Sequence, residues 1–232
     1  AEVDRVKRDI IRLYDKDFIR IDPTGKASAM FKAIPSELTR NSSRYQVASV
    51  TENGRANRLL ETITNMGESM VVNMAYHAND PGPGMAFHKD TSTFKMFVGD
   101  TGLFVTLAFW DKEFTDNVIY QKLLTDKLSK DLGYVYENVV AQMLVASGNE
   151  LYYHTFPTES GKHRYEVDFL IPDGDKVVPI EVKSSGYKAH VSLDAFCTKF
   201  SSRVSRPYLI YTKDLRKEGN LLYLPVYMTM FL

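Results

Sequence analysis

Four ionisable residues in the second half of the chain have the types and spacing of a metal-dependent hydrolytic site, and three of them are close in sequence. Asp168 lies in the apolar run 165–171, and Glu181 and Lys183 lie in the run 177–183. A turn rich in proline, glycine and aspartate separates the runs, which predicts a β-hairpin. Glu181 and Lys183 are two residues apart, so they project to the same side of their strand. Because unpaired charges are rarely buried, we expect these groups to share a partner.

A divalent cation would provide that partner. Mg²⁺ binds oxygen ligands, usually one or two carboxylates together with water and substrate phosphate. The predicted metal ligands, for Mg²⁺ or Mn²⁺, are Asp168 and Glu181. Lys183 would orient or deprotonate the attacking water, or neutralise charge on the phosphate. Glu137 is the fourth residue and lies in a segment of helical periodicity, 133–144; a helix packed on the hairpin would bring it to the metal. The alternative is an exposed, salt-bridged pair of strands.

A basic segment follows the predicted site. Between residues 184 and 217, seven lysines and arginines are opposed by only two aspartates. The chain as a whole carries 29 basic and 29 acidic residues, so any attraction for nucleic acid must be local. The alternative is a solvated helix face with scattered charge. The candidate contacts to a nucleic-acid backbone are Lys188, Lys199, Arg203 and Arg206.

Composition limits the class of protein. The sequence has no apolar run long enough to span a membrane and no signal peptide at its start, so no membrane association is expected. Its single cysteine, Cys197, excludes an internal disulfide and a cysteine zinc cluster. These features predict a cytoplasmic protein.

The first half of the chain predicts helices followed by two strands. Residues 2–20 form an amphipathic pattern. Further on, a helix at 54–66 and strands at 70–76 and 94–98 predict a winged-helix-like unit. Arg55 and Arg58 would lie on its recognition helix, but so few basic residues favour a unit that joins domains over one that binds DNA. The apolar stripe of the first helix is predicted to comprise Val3, Val6, Ile10, Leu13 and Tyr14.

The second half predicts a mixed sheet flanked by helices. After the helix at 133–144 come the hairpin, a helix capped by Ser192, and strands at 207–211 and 221–226. The expected fold class is therefore α/β (α+β). The predicted domains are a helical linker at 1–25, a winged-helix-like domain at 26–115 and a nuclease-like domain at 116–232.

Taken in order, these motifs resemble the C-terminal region of a family of prokaryotic AAA-type ATPases. Members of that family have an N-terminal P-loop ATPase domain, a winged-helix-like segment and a C-terminal domain of unassigned function. That last domain has a restriction-endonuclease-like fold with the PD-(D/E)xK signature, in which a helix Glu and a strand Asp precede Glu-x-Lys. The segments that carry the resemblance are 7–14, 34–38, 94–103, 133–138, 166–170, 179–184 and 224–228.

The resemblance implies a function for the site. It assigns catalytic roles to Glu137, Asp168, Glu181 and Lys183 in Mg²⁺-dependent hydrolysis of DNA phosphodiesters. The alternative is a catalytically inactive platform that binds DNA or protein and directs the ATPase.

The resemblance also implies a missing part. The sequence has no P-loop and no initiator methionine, so we expect a fragment that has no ATPase activity of its own. ATP would bind only in an N-terminal ATPase domain, which would be the partner of this region and the route to oligomerisation.

Overall fold

The mixed α/β class predicted from the sequence is confirmed by a computed structural model, which describes residues 2–40, 42–49, 59–111 and 133–232. The helices are α1 Glu2–Ile21, α2 Lys26–Thr39, α3 Leu60–Glu68, α4 Thr101–Ala108, α5 Gly133–Ala146 and α6 Val191–Lys199. The strands are β1 Val72–Ala78, β2 Lys89–Val98, β3 Leu151–Pro157, β4 Arg164–Asp173, β5 Lys176–Val182, β6 Tyr208–Tyr211, β7 Arg216–Glu218 and β8 Leu221–Pro225. Short 3₁₀ helices are Val47–Ser49, Met85–Phe87 and Val226–Phe231.

The eight strands form one sheet in the order β2-β1-β3-β4-β5-β6-β8-β7. Strands β3, β4 and β5 make an antiparallel meander, and β6 returns parallel to β5 after α6. The hairpin of β1 and β2 joins this sheet because β1 pairs in parallel with β3. The strands predicted at 70–76 and 94–98 therefore extend the same sheet that carries the predicted site.

Two strands were not predicted from the sequence. β3 is buried along six consecutive residues, so it lacks the alternation of polar and apolar residues that marks a half-exposed strand. β7 is three residues long, and all three are exposed. The strand β7 forms because it pairs with β8, and its own three residues carry no strand signal.

The helix predicted at 2–20 forms, but the predicted apolar stripe is wrong in part. Val3, Val6 and Leu13 are exposed, whereas Ile11 and Phe18 are buried. The helix carries apolar residues on more than one face, and it packs on both α2 and α4. Against α2, the Phe18 ring lies 5.2 Å from the ring of Phe31.

The helix α5 is attached to the end of β2 by a buried amide. Asn138 accepts a hydrogen bond from the Val98 N–H at 2.9 Å and donates one to the Val98 carbonyl at 3.0 Å. Its side-chain nitrogen also donates to Thr101 Oγ1 at 3.0 Å. The first and second halves of the chain therefore share a polar junction next to Glu137, in addition to the sheet.

Some predictions fall on residues outside the described ranges. Arg55, Arg58 and the start of the predicted helix at 54–66 are among them, and so is the predicted domain boundary at 115/116. The described part of that helix is α3. The predicted cap at Ser192 is wrong: α6 begins at Val191, and His190 is the N-cap residue, without a capping hydrogen bond from its side chain.

None of the helices in the described part of the chain combines the length and the apolar character that a membrane crossing requires.

Candidate functional site

The candidate site lies where β4 and β5 separate. The ladder between β4 and β5 ends at the pair formed by Phe169 and Ile180. Beyond this pair, β4 remains paired with β3 only, and β5 remains paired with β6 only. The β3–β4 ladder is also irregular here, because three steps along β4 match two along β3 between Val167 and Leu170. Asp168 lies in this bulge. Bulges of this kind re-aim side chains and are common beside active sites.

Asp168 bridges the gap between the two strands. Its Oδ2 accepts a hydrogen bond from the backbone N–H of Val182 at 2.8 Å. The carboxylate therefore supplies a link between β4 and β5 at the point where their backbone pairing has ended. This bond fixes the side chain beside the end of β5.

Glu181 and Lys183 are in contact, as their spacing predicts. Lys183 Nζ lies 2.6 Å from Glu181 Oε1. Glu181 is 5% exposed, and its second oxygen, Oε2, is buried with no hydrogen-bond partner among the described residues. A buried acceptor without a partner is costly, so this oxygen is suited to receive a ligand or a cation.

Glu137 reaches the same site from α5. The helix packs on the sheet through Val140, Ala141 and Leu144, which belong to one core with Phe169 and Ile180. Burial raises the pKa of Glu137 to about 7; the positive charge of Lys95 opposes this shift, and the negative charge of Asp168 adds to it. The structure therefore brings together all four residues that the sequence nominated.

Two further charged residues belong to the site and were missed by the sequence analysis. Lys95 Nζ, on β2, lies 2.5 Å from Glu166 Oε1 on β4. Their side chains are 7% and 27% exposed. Lys95 also lies over the ring of Tyr153, 5.4 Å from its centroid.

The sequence held a signal for both residues. Glu166 stands two residues before Asp168 in the same predicted strand, and Lys95 is a lysine inside the apolar run 94–98. A charged residue in a buried strand needs a partner. The sequence could not say that these two were partners, because they come from distant parts of the sheet.

Burial and mutual repulsion raise the pKa values of three acids of the cluster, Glu137, Asp168 and Glu181. Burial is the main cause that raises the pKa of Asp168, and it raises that of Glu181 to about 8 with help from the charge of Asp168. Burial alone would lower the pKa of Lys183 and of Lys95, but the neighbouring carboxylates override it and raise both pKa values. Both lysines are therefore ammonium ions at neutral pH.

The cluster contains more acidic than basic side chains. Its four acids, once ionised, exceed the two lysines by two negative charges. Either protons or a divalent cation can balance that excess. The carboxylates involved are Glu137, Glu166, Asp168 and Glu181.

Two carboxylates of the cluster could serve as ligands of Mg²⁺. In the part of the chain that the structure describes, no three His, Cys, Asp or Glu side chains are arranged to hold a metal ion. Asp168 and Glu181, with the buried Oε2 of the latter, supply two carboxylates. Mg²⁺ typically takes one or two carboxylates and completes its shell with water and phosphate oxygens.

A cleft of about 350 Å³ opens beside the cluster. It lies between the C-terminal end of α2 with the residues that follow it and the surface of the sheet. Lys95, Glu137 and Glu166 form the part of its wall that belongs to the cluster. The full set of described lining residues is Leu38, Ser42, Ser43, Lys95, Glu137, Thr155, Arg164 and Glu166.

The four basic residues nominated as nucleic-acid contacts are not among the residues that line this cleft. Lys199 Nζ lies over the ring of Phe156, 5.1 Å from its centroid. Arg203 forms an ion pair with Asp80. Lys188 and Arg206 are exposed.

Comparison with known proteins places a family match on the part of the chain that carries most of the site. Residues 132–228 match the model of a domain of unknown function (DUF4143). This range includes Glu137, Asp168, Glu181 and Lys183, whereas Lys95 lies outside it. No curated protein and no solved structure matches the chain.

Proposed function

We propose that this region is a metal-dependent phosphodiesterase that acts on DNA. The observation that carries the proposal is the cluster at the separation of β4 and β5, where Asp168, Glu181 and Lys183 meet beside Glu137. The excess of two negative charges and the buried acceptor Glu181 Oε2 support a divalent cation as the missing partner.

Each residue has a distinct role in this proposal. Asp168 and Glu181 hold Mg²⁺, or Mn²⁺, and Glu137 assists from α5. When bound, the metal lowers the pKa of a water ligand and offsets charge on the phosphate. Lys183, whose raised pKa keeps it protonated, donates hydrogen bonds to phosphate oxygens and stabilises the charge that develops there.

The experiment compares wild-type protein with Asp168→Asn. Asparagine retains an oxygen that can accept the Val182 N–H, so the variant is expected to fold. It loses the negative charge that holds the metal. We expect Mg²⁺ or Mn²⁺ binding measured by calorimetry to disappear, and cleavage of labelled DNA to fall by a factor of about 100 or more.

Cleavage by Asp168→Asn at the wild-type rate would show that this carboxylate has no part in the chemistry. Asp173→Asn is the matched control, because this aspartate is an exposed residue at the far end of the same strand. Its removal should leave metal binding and cleavage unchanged.

We also propose that the chain is the C-terminal module of an AAA-type ATPase. The resemblance of its ordered motifs to that family supports this, together with the match of residues 132–228 to a domain of unknown function. Its own N-terminal ATPase domain would then be its partner and would bind ATP. The full-length protein should hydrolyse ATP, and the region from residue 1 to residue 232 alone should not.

A second candidate function is a platform that binds DNA or protein and directs the ATPase without cleaving. The observation that favours it is that both lysines of the cluster are held in ion pairs within the protein, Lys95 with Glu166 and Lys183 with Glu181. DNA binding that survives Glu181→Ala and weakens steeply with salt, in the absence of any cleavage, would select this function over the first.

A further inference from the structure

The cleft beside the carboxylates contains a cation that the proposed chemistry does not use. Arg164 is the first residue of β4 and lines the cleft. Among the described residues no carboxylate lies within 4.0 Å of its guanidinium. The other cation in the cleft wall, Lys95, is held by Glu166.

Arg164 is held in position by a neighbouring strand. Its Nε donates to Thr155 Oγ1 at 3.2 Å, and its Nη2 donates to the Thr155 carbonyl at 2.8 Å. These bonds engage two of the five N–H donors that a guanidinium carries. The remaining donors are available to an anion, and the planar fork suits a phosphate.

The placement of Arg164 on β4 relates it to the metal site. Arg164 and Glu166 are two residues apart in a regular stretch of the ladder, so they share a face of the strand with Thr155, the partner of Glu166. At about 3.3 Å per residue, the backbone of Arg164 lies about 13 Å along the strand from that of Asp168. The cleft lies along this stretch of strand.

From these contacts we infer that Arg164 anchors a phosphate of the DNA strand, a short distance along the strand from the phosphate at Asp168. The inference rests on the proposed function, and it specifies how the DNA substrate is held. A separation of about 13 Å along β4 places the anchored phosphate a few nucleotides from the reacting one.

The cleft wall also indicates what is recognised. None of the described lining residues is aromatic, so the wall offers no ring on which a base could stack. The hydroxyl of Ser43 adds a neutral hydrogen-bond donor of the kind that contacts phosphate and sugar oxygens. Binding in this cleft is therefore independent of base sequence.

The test is binding of a fluorescein-labelled single-stranded oligothymidylate, followed by anisotropy in EDTA so that no metal-dependent cleavage occurs. Arg164→Gln should weaken binding about tenfold and reduce the slope of log K against log salt by about 0.7. Arg164→Lys keeps the charge, so it should retain most of the salt dependence while losing part of the affinity. The same loss should appear with an oligonucleotide of mixed sequence.

Lys162→Gln is the matched control, since Lys162 is an exposed cation two residues away and outside the cleft lining. It should bind like wild type. Thermal melts of the variants show whether loss of the Thr155 contacts has unfolded the protein. Equal affinity of Arg164→Gln and wild type overturns the inference, and so does a wild-type protein that does not bind the oligonucleotide.

Failure of this inference is distinct from failure of the proposed function. If Asp168→Asn abolishes cleavage while Arg164→Gln binds as wild type, the chemistry stands and the anchor is wrong. If Arg164 is required for binding but wild type neither binds metal nor cleaves, the anchor stands and the platform function replaces the enzyme.

Discussion

Lys95 Nζ and Glu166 Oε1 lie 2.5 Å apart although 71 residues separate them in the chain. Lys95 comes from β2, at one edge of the sheet, and Glu166 from β4, near its centre. The pair lies outside the metal-ligand set, yet the charge of Lys95 acts on both Glu137 and Asp168. The site is therefore completed by a residue outside the range that matches the family model.

Removal of Lys95 should destabilise the protein. Lys95→Met leaves Glu166 partly buried without its partner, and loss of one member of a buried ion pair costs about 3–5 kcal/mol. Because Glu166 keeps some solvent exposure, we expect the free energy of unfolding, measured in urea, to fall by about 3 kcal/mol. The double variant Lys95→Met, Glu166→Gln should recover part of the loss, because residue 166 then carries no charge that has lost its partner.

The control for this prediction is Lys89→Met, an exposed lysine on the same strand. Its free energy of unfolding should change by less than about 1 kcal/mol, the value of an exposed cation–π contact such as the one it makes with Tyr76. If the two variants had equal stability, the Lys95–Glu166 pair would make no net contribution.

The stability of the metal-free protein should fall as pH rises from 4.5 to about 8. Glu137 and Glu181 have folded-state pKa values of about 7 and about 8, above the ordinary value of 4.5. Between the ordinary and the raised pKa values, the folded state binds more protons than the unfolded state. The stability contributed by the two glutamates is therefore fully present below pH 4.5 and is lost as pH rises through the raised pKa values. Thermal melts in EDTA at about pH 5 and about pH 9 measure this loss.

Glu181→Gln should reduce the fall in stability, since glutamine does not titrate. Mg²⁺ added at the higher pH should stabilise wild type, because the cation balances the charge that protons have left, and should stabilise Glu181→Gln less. Glu159→Gln, an exposed glutamate in a turn, is the control. Identical pH dependence in Glu181→Gln and wild type would rule out Glu181 as a source of the effect.

Asn138→Ala should weaken the junction between the two halves of the chain. The change leaves the Val98 N–H and carbonyl without the partners they have now, at a position that is fully buried. A buried polar group left unpaired costs about 1–3 kcal/mol, so two groups place the expected loss at the upper end of that range or above it. Chemical denaturation measures it.

Because Asn138 neighbours Glu137 on α5, metal affinity should fall together with stability in Asn138→Ala. Asn220→Ala changes an exposed asparagine in the turn before β8 and should move the free energy of unfolding by less than about 0.5 kcal/mol. Full stability in Asn138→Ala would mean that the two halves are held by the sheet and the apolar core alone.

Much of the site could be predicted because its signals are local. Turn residues between two apolar runs define the hairpin of β4 and β5, and a spacing of two residues is enough to bring Glu181 and Lys183 into contact. Helical periodicity likewise predicted the helix that carries Glu137. Neighbours along a strand or helix are fixed by backbone geometry, so the sequence alone is informative there.

What the sequence by itself determined was the mixed α/β class, the helix α5 and the hairpin with its two acids. The tertiary structure decided which distant elements meet. It placed β1 beside β3, paired Lys95 with Glu166 and brought Arg164 into the cleft. It also buried Ile11 and Phe18 of α1, whereas the sequence predicted a different apolar stripe for this helix. The physical reason is that strand order and helix packing depend on contacts between residues far apart in sequence, which local periodicity does not encode.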